Sequence, residues 1–428
     1  MLLQFSVENY LSFREQAVLS LIPSSDKEHP ENINEISGSK YRALNGILVY
    51  GANASGKTNL FKAMTVALNL VRRCSELQPG QPIPIVPFKM DNDSKKKPSS
   101  FEFQFIADDG NKYVYGFKAS VKRIEEEYLY CYYSNQPTKI FDRTQCTEYS
   151  YSRGIKSRLE TFEKVTNENR LFLSASAAWN ATVTRAAYEW LSLGIDTYTN
   201  LQEFQDRAFE YYRDEKDQDK RDYLDFTSEL LQQADIKISR IDFDYRTLTE
   251  DQVNQLPSII VNNQLIRPQT GFEHKVITKH SLEMEDGTVV EQCFGMGEES
   301  LGTELLLYFG PLLKDTFSKG KVMMIDEIDR SLHPYIVKHI IQLFQNKKYN
   351  KKGAQLIATT HDTSQMTLKQ FRRDQIFFTE INPKTASTDL YSLDDFELPV
   401  RKTDNIEKGY LQGRYGAIPY VQPEVLIA

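Results

Sequence analysis

Hydrophobic residues occur along the chain in short runs whose spacing alternates between that of strands and that of helices. The apolar run at 46–50 ends at a glycine, as a buried strand does before a turn. Beyond Lys57 the apolar positions repeat with the period of one helix face. They are Leu60, Met64, Ala67, Leu68 and Val71. The pattern predicts a strand, a glycine-rich turn and a helix over residues 46–73.

Further strands are predicted on either side of a polar segment at 91–100, which is typical of an exposed loop. They cover residues 2–7 and 16–22 before that loop, and 101–106, 113–119 and 127–133 after it. Asp-Asp-Gly joins the first two of the later strands, so these strands are expected to pair antiparallel. The tyrosines at 128–133 alternate with other side chains, which favours a packed strand over a base-stacking surface.

The middle of the chain, residues 156–235, has no proline and one glycine, and its composition favours helices. In the last third, helices are predicted at 299–317 and 335–345, and strands at 237–245, 258–261, 275–278, 322–325, 354–359 and 375–379. This alternation indicates a mainly parallel sheet, which the strand at 46–50 is expected to join. The prediction is an α/β domain built from residues 1–155 and 236–428, with a helical arm inserted at 156–235.

Composition narrows the class of protein. The chain has 428 residues, 40% of them hydrophobic and 26% charged, as in soluble globular proteins. No apolar stretch reaches the ~20 residues that span a bilayer, and the first residues resemble a strand rather than a signal peptide. We therefore expect a cytoplasmic protein without membrane contact. The four cysteines form no CxxC pair, which favours free thiols. The net charge of −7 argues against a surface coated for DNA but leaves a local basic groove open.

The segment Gly51-Ala-Asn-Ala-Ser-Gly-Lys57-Thr58 matches the GxxxxGK[ST] pattern in full, between a predicted strand and a predicted helix. Its glycines allow backbone N–H groups to face phosphate oxygens at a helix N-terminus. Lys57 is expected to reach the β and γ phosphates of ATP, and the Thr58 hydroxyl to bind Mg²⁺. The alternative is an ordinary tight turn, which the strand and helix on either side disfavour.

Two later strands end in polar residues. The strand at 322–325 is followed by Asp326, a candidate Mg²⁺ ligand, and by Glu327, which could orient or deprotonate the attacking water. The strand at 354–359 is followed by Thr360-His361-Asp362. His361 is either a phosphate sensor or a histidine without a catalytic role. The carboxyl end of a parallel strand, where ligands bind, favours the sensor.

The segment Ser300-Leu-Gly302-Thr303 begins the predicted helix at 299–317. Ser300 is a candidate N-cap. The segment is therefore either a capped helix start or a place where helix N–H groups bind a phosphate.

In order and spacing, these motifs resemble the ABC-type ATPase heads of the SMC and RecF kind. Ser300-Leu-Gly302-Thr303 resembles the signature, although it departs from LSGGQ. Asp329-Arg-Ser-Leu-His-Pro334 resembles the D-loop, and Thr360-His361-Asp362 the switch. Phe5-Ser-Val-Glu-Asn-Tyr-Leu-Ser-Phe13 is similar to the first strand of RecF-like heads. The segment 410–419 resembles the tail of the RloA and AbiL type of anti-phage AAA ATPases, known from abortive infection.

The resemblance implies the fold of an ABC-type head, with a parallel core around the P-loop and an antiparallel β subdomain. It also implies two heads that enclose two ATP molecules, with Ser300 and Gly302 acting on the ATP of the other head. The implied nucleotide-binding residues are Gly51, Asn53, Ser55, Gly56, Lys57, Thr58, Asn59, Ser300, Gly302 and Asp329. Catalysis would use Glu327, His361 and Lys57, and Mg²⁺ would be bound by Thr58 and Asp326. The resemblance does not assign the glutamine that senses Mg²⁺ in such heads, for which Gln81 is a candidate.

Three functions follow from the sequence. The first is an ATPase that forms a homodimer or larger oligomer and regulates a separate nuclease-like or toxin-like effector in anti-phage defence. The second is a RecF- or SMC-like, ATP-gated DNA-binding protein of repair. The third is a scaffold that binds ATP with little turnover. The segment 410–419 is predicted either to cap the domain or to dock a partner.

Overall fold

The computed structural model describes residues 1–35, 40–213, 217–255, 259–261, 264–266, 270–396 and 404–419. Over these residues, numbered in chain order, the strands are β1 (Leu2–Glu8), β2 (Ala17–Ser20), β3 (Ile33–Glu35), β4 (Arg42–Leu44), β5 (Gly46–Tyr50), β6 (Ser99–Ile106), β7 (Lys112–Ala119), β8 (Ile124–Tyr132), β9 (Thr138–Thr144), β10 (Glu148–Ser150), β11 (Ile195–Tyr198), β12 (Ile238–Thr247), β13 (Ile259–Val261), β14 (Gln264–Ile266), β15 (Phe272–Glu283), β16 (Val289–Gly295), β17 (Val322–Ile325), β18 (Gln355–Thr359), β19 (Ile376–Ile381) and β20 (Thr388–Ser392). The α-helices are α1 (Lys57–Arg73), α2 (Lys156–Leu159), α3 (Phe172–Ala178), α4 (Arg185–Leu193), α5 (Leu201–Tyr212), α6 (Asp217–Gln233), α7 (Glu250–Gln255), α8 (Leu301–Lys319), α9 (Pro334–Gln345) and α10 (Ile406–Leu411).

The chain divides into two compact units. The first comprises residues 1–199, 316–330 and 337–428, and the second comprises residues 200–315 and 331–336. These limits differ from the predicted insertion at 156–235, because residues 156–199 belong to the first unit. In the described part of the chain, no helix combines the length and the apolar character needed to cross a membrane.

A six-stranded sheet in the first unit has the order β11-β17-β18-β5-β19-β20. β5 lies inside this sheet, parallel to β18 on one side and to β19 on the other. All five of its residues are buried, which explains the uninterrupted apolar run. β17 is parallel to β18, and only the edge strand β20 is antiparallel to its neighbour. The mixed α/β fold and the parallel strands around β5 confirm the predicted fold class.

A seven-stranded sheet in the same unit has the order β10-β9-β8-β7-β6-β1-β2 and is antiparallel throughout. From Ser99 to Phe105 in β6, buried residues, which include Phe101, Phe103 and Phe105, alternate with partly exposed ones, as expected for a strand with one face in the core. The tyrosines of β8 alternate with the buried Leu129 and Cys131. The antiparallel pairing of β6 and β7 is confirmed.

The main core of the first unit joins side chains from both sheets with one face of α1. The five apolar positions predicted for that face are all buried: Leu60, Met64, Ala67, Leu68 and Val71. Removing such side chains from water is the main stabilising term in folding. It also fixes the helix that begins at Lys57.

The segment 410–419 is part of the first unit and packs against its strands β19 and β20. The Tyr410 hydroxyl donates to the carbonyl of Ala417 at 3.0 Å, and the Tyr391 hydroxyl donates to the carbonyl of Tyr415 at 2.9 Å. The rings of Tyr410 and Tyr415 stack on Phe378 of β19. These contacts favour the cap over a free docking element.

The second unit contains the three-stranded antiparallel sheet β12-β15-β16 with helices α5, α6 and most of α8. The Tyr212 hydroxyl donates to the carbonyl of Leu307 at 2.7 Å and lies 2.9 Å from the Thr227 hydroxyl. A Cβ atom at Gly310 would lie 2.0 Å from Oγ1 of Thr227, so glycine is required where α6 and α8 touch. The helix–helix contact therefore depends on one small residue.

The structure differs from the sequence prediction at β11 and covers only part of the strand predicted at 258–261. Residues 195–198 lie in the region predicted as helices but form β11, which pairs in parallel with β17, so that prediction was wrong there. The predicted strand at 258–261 is observed as β13, and Ser258 lies outside the described residues.

Candidate functional site

At two positions in the loop between β5 and α1, the backbone conformation and the close neighbours leave room only for glycine. Gly56 has φ 110° and directly precedes α1. A Cβ atom there would lie 2.2 Å from Oγ1 of Thr388, and one at Gly51 would lie 2.5 Å from the carbonyl oxygen of Thr379. Both glycines of the motif are thus fixed by close contacts with β19 and β20. The loop leads directly into the N-terminus of α1, where N–H groups attract anions.

Hydrogen bonds with three other segments hold the loop and the first turn of α1. The Ser55 hydroxyl lies 2.6 Å from that of Thr379, and the Thr388 hydroxyl donates to the carbonyl of Ser55 at 3.0 Å. The Asn59 amide donates to the Ser12 hydroxyl at 2.9 Å. Asn53 is exposed at the tip of the loop. The loop is therefore preorganised before any ligand binds.

Lys57 is buried, and its ammonium folds back over the loop. Nζ donates to the carbonyl oxygens of Gly51 at 2.7 Å and Ala52 at 3.0 Å. Burial lowers the pKa of Lys57, and the carboxylates of Asp326, Glu327 and Asp329 oppose that shift. The three acids therefore lie close enough to act on the lysine electrostatically. The neutral carbonyls leave its positive charge available to an anion.

The two acids after β17 have different surroundings. Asp326 is partly buried, and its Oδ1 accepts a hydrogen bond from the Thr359 hydroxyl at 2.6 Å. Glu327 is exposed and has φ 55°, in the left-handed region. Its backbone N–H donates to the same Thr359 hydroxyl at 2.7 Å. One carboxylate is thus anchored, and the other faces outward.

The switch segment is bonded to the loop that follows β17. The backbone N–H of His361 donates to Oδ2 of Asp329 at 3.1 Å, and the His361 side chain is exposed. Oδ1 of Asp329 is buried and has no hydrogen-bond partner among the described residues. Because β5, β18 and β17 are adjacent and parallel, their following loops lie at one edge of the sheet. This edge brings together Lys57, Thr58, Asp326, Glu327, Asp329 and His361.

Ser300 and Gly302 belong to the second unit. Oγ of Ser300 accepts a hydrogen bond from the backbone N–H of Thr303 at 3.1 Å, which confirms the predicted N-cap of α8. Ser300 and Leu301 are both exposed. A Cβ atom at Gly302 would lie 3.3 Å from the carbonyl oxygen of Ser331, in the same unit.

Gln81 is engaged in a local turn, where its Oε1 accepts from the backbone N–H of Gln78 at 3.0 Å. The sequence did not single out Thr359, Thr379 or Thr388, although each bonds a predicted site residue. Of these three threonines, only Thr359 could have been suspected from the local sequence, because it ends a predicted strand just before the segment Thr360-His361-Asp362. Thr379 and Thr388 are distant in sequence from the loop that they support.

The residues fit a nucleotide phosphate and a magnesium ion. The glycine loop forms a cradle that a Cβ atom would fill, with a buried cation and a helix N-terminus beside it. A threonine hydroxyl and an aspartate carboxylate supply the oxygen ligands that Mg²⁺ prefers.

The family described as "AAA domain, putative AbiEii toxin, Type IV TA system" matches residues 47–366, more than half of the chain, and the chain belongs to that family. This match includes every predicted site residue. The comparison with curated proteins found no match.

Several solved structures are similar to this chain. The SMC head bound to the C-winged helix domain of ScpA shares 13% identity and a TM-score of 0.42, over 91% of this chain and 97% of that one. The SMC head of Pyrococcus furiosus bound to the C-terminal domain of ScpA shares 12% identity and a TM-score of 0.39, over 91% and 96%. The recombination mediator RecF with ATP shares 13% identity and a TM-score of 0.36, over 91% and 97%.

Proposed function

We propose that this member of the AAA-domain family binds ATP at the loop 51–58 and hydrolyses it to ADP and phosphate. The observation that carries the proposal is the cluster at one sheet edge, where buried Lys57 lies within electrostatic reach of Asp326 and Glu327. Backbone N–H groups of the loop and the ammonium of Lys57 would bind the phosphates. Ser55, Asn59 and the two motif glycines keep that loop in shape, and Asn53 at its tip would contact the nucleotide.

In the proposed reaction, water attacks the γ-phosphorus and the bond to the oxygen that bridges the β and γ phosphates breaks. Glu327 accepts the proton of that water, which its exposed position allows. Thr58 and Asp326 would hold Mg²⁺, which neutralises the charge that develops on the phosphate oxygens. His361 would donate a hydrogen bond to the γ-phosphate, and Asp329 holds the backbone of His361 in place.

The proposal extends to a dimer. Ser300 and Gly302 begin an exposed helix N-terminus in the second unit, a feature that attracts a phosphate. In the arrangement that we propose, this N-terminus contacts the ATP bound to a second copy of the chain, so two copies enclose two nucleotides. Hydrolysis would then require assembly.

The biological setting that we propose is anti-phage defence, as in ATPases of the RloA and AbiL type. The description of the family, with its toxin of a type IV toxin–antitoxin system, supports this setting. ATP turnover would regulate a separate effector of the nuclease or toxin kind. DNA-gated repair is the competing role, and it predicts an ATPase rate that rises with DNA alone.

Two substitutions test the ATPase. Lys57→Ala should weaken ATP binding by at least about tenfold, because the loop loses its cation. Lys62→Ala, on the exposed side of the same helix, is the control and should bind as the wild type does. Binding can be measured with a fluorescent ATP analogue. Equal affinity in Lys57→Ala and wild type would contradict the nucleotide site.

The second substitution, Glu327→Gln, should keep ATP binding and lower kcat by about 100-fold or more, because the general base is lost. Glu76→Gln, an exposed glutamate outside the site, serves as its control. Phosphate release gives the rate. A Glu327→Gln protein that hydrolyses ATP at the wild-type rate would refute the assignment of the base.

The defence role is tested in cells that carry the gene with its natural neighbours and are challenged with phage. Protection should be lost with Lys57→Ala and kept with Lys62→Ala. Protection by Lys57→Ala would separate the ATPase from defence, and a DNA-stimulated rate in the absence of a partner protein would favour the repair role.

A further inference from the structure

Thr359, the last residue of β18, makes a set of bonds that the proposed reaction does not yet use. Its side chain is fully buried, 0% exposed. The hydroxyl donates to Oδ1 of Asp326 at 2.6 Å and accepts from the backbone N–H of Glu327 at 2.7 Å. One hydroxyl therefore contacts both acidic residues.

These two bonds fix the direction of the hydroxyl. A threonine has a single O–H to donate, and here it is given to Asp326. The lone pair that accepts from Glu327 lies on the other side of the oxygen. A hydroxyl bonded in this way restricts the Asp326 carboxylate to one orientation and leaves its second oxygen to act as a ligand.

The second bond supports an unusual backbone. Glu327 has φ 55°, in a region that side chains other than glycine, asparagine and aspartate seldom adopt. The bond from its N–H to Thr359 holds this turn, and the turn directs the Glu327 side chain outward. The carbonyl of Thr359 also accepts from the backbone N–H of Ile328 at 3.0 Å. That main-chain bond would survive a change of side chain.

We propose that Thr359 is a positioning residue for ATP hydrolysis. Its hydroxyl orients the carboxylate of Asp326 toward Mg²⁺ and sets the turn that presents Glu327 to water. It does so from the strand that leads to His361, so one strand end supports the metal ligand, the base and the switch. This inference rests on the proposed ATPase function.

Three variants test the role. Thr359→Val keeps the shape of the side chain and removes the hydroxyl, and Thr359→Ser keeps the hydroxyl. Thr316→Val is the matched control, because Thr316 is also buried and its hydroxyl has no hydrogen-bond partner among the described residues. Thermal unfolding of all three shows whether they fold.

Two readouts are expected to change in Thr359→Val. The Mg²⁺ concentration that half-saturates nucleotide binding, measured with a fluorescent ATP analogue in the Glu327→Gln background, should rise about 10-fold or more, as for other partners of metal ligands. The kcat should fall about 10- to 100-fold. Affinity for the analogue without Mg²⁺ should stay the same, because the loop with Lys57 is untouched. Thr359→Ser should restore both values to within about threefold of wild type, since the hydroxyl returns.

An active wild type with a Thr359→Val variant unchanged in Mg²⁺ requirement and kcat would overturn the inference alone. So would a Thr359→Ser variant as impaired as Thr359→Val, since the hydroxyl would then not be the cause. A wild type that neither binds nor hydrolyses ATP would overturn the proposed function and this role with it. Impairment of Thr316→Val to the same degree would show that any buried hydroxyl change disturbs the site.

Discussion

Tyr50 is the residue directly before the loop 51–58. Its side chain is fully buried, and its hydroxyl has no hydrogen-bond partner among the described residues. Burial raises the pKa of Tyr50 well above its usual value. Tyr115 is equally buried, but its hydroxyl donates to Oε1 of Glu127 at 3.0 Å. The two tyrosines are therefore a matched pair with opposite expectations.

Tyr50→Phe should raise the free energy of unfolding by about 1 kcal/mol, because a buried polar group without a partner is removed. Tyr115→Phe should lower it by about 1.5–3 kcal/mol, because a bond to a charged acceptor is lost. Urea denaturation measures both. Destabilisation by Tyr50→Phe would show that its hydroxyl is bonded in solution.

At the level of residues, the sequence predicted the candidate nucleotide-site residues but not the threonines that hydrogen-bond to them. The motif with Lys57 and the acids after a predicted strand can be recognised because each is contiguous in sequence. Thr388 could not be found in this way, since it supports Ser55 from 333 residues away. Such a bond is created by the pairing of strands and has no local pattern.

Among the elements, β8 has one face in the core and one face partly exposed to solvent. Glu127 faces the core and is fully buried beside Arg143, which is 1% exposed. Its carboxylate also accepts from the backbone N–H groups of Phe172 and Leu173 at 2.6 and 2.9 Å. The next residue back, Glu126, faces outward and pairs with Lys118, with both side chains about 40% exposed. The two adjacent glutamates thus differ in burial because they lie on opposite faces of the strand.

Glu127→Ala should lower the free energy of unfolding by about 3–5 kcal/mol, because it leaves Arg143 buried without its carboxylate. Glu126→Ala should cost about 1 kcal/mol or less, since an exposed ion pair contributes little. Chemical denaturation of both variants in the same buffer gives the comparison. Similar losses in the two would contradict the burial of the Glu127 pair.

The strands β5, β17 and β18 of the parallel sheet were predictable from their apolar runs. The run of β5 ends at a glycine, and the runs of β17 and β18 end at polar residues. β11 was missed for a physical reason. Its four residues include Asp196 and Thr197 and carry no strand periodicity. Parallel pairing with β17 makes them a strand, and tertiary context of this kind overrides local propensity.

For the whole molecule, the sequence predicted a helical arm inserted at 156–235, whereas the second unit of the structure comprises residues 200–315 and 331–336. The second unit begins at Asn200 and contains strands as well as helices. Composition alone marks the helix-rich region from 156 onward, and it cannot show that residues 156–199 pack with the first unit. The candidate site residues are found in both units. Ser300 and Gly302 lie in the second unit, and Lys57 and Glu327 lie in the first.

The proposed dimer makes a prediction about this division. Glu327→Gln should form a dimer when ATP is added, because the nucleotide persists between two copies. Adding Ser300→Arg to that variant should abolish the dimer and leave ATP affinity intact, because a bulky cation at the exposed helix start blocks the contact in trans. Adding Ser134→Arg, at an exposed serine between β8 and β9, is the control and should leave the dimer unchanged. Light scattering with and without ATP distinguishes them. If Ser300→Arg weakens ATP binding by the isolated monomer, the residue acts on the nucleotide of its own chain and the composite site is wrong.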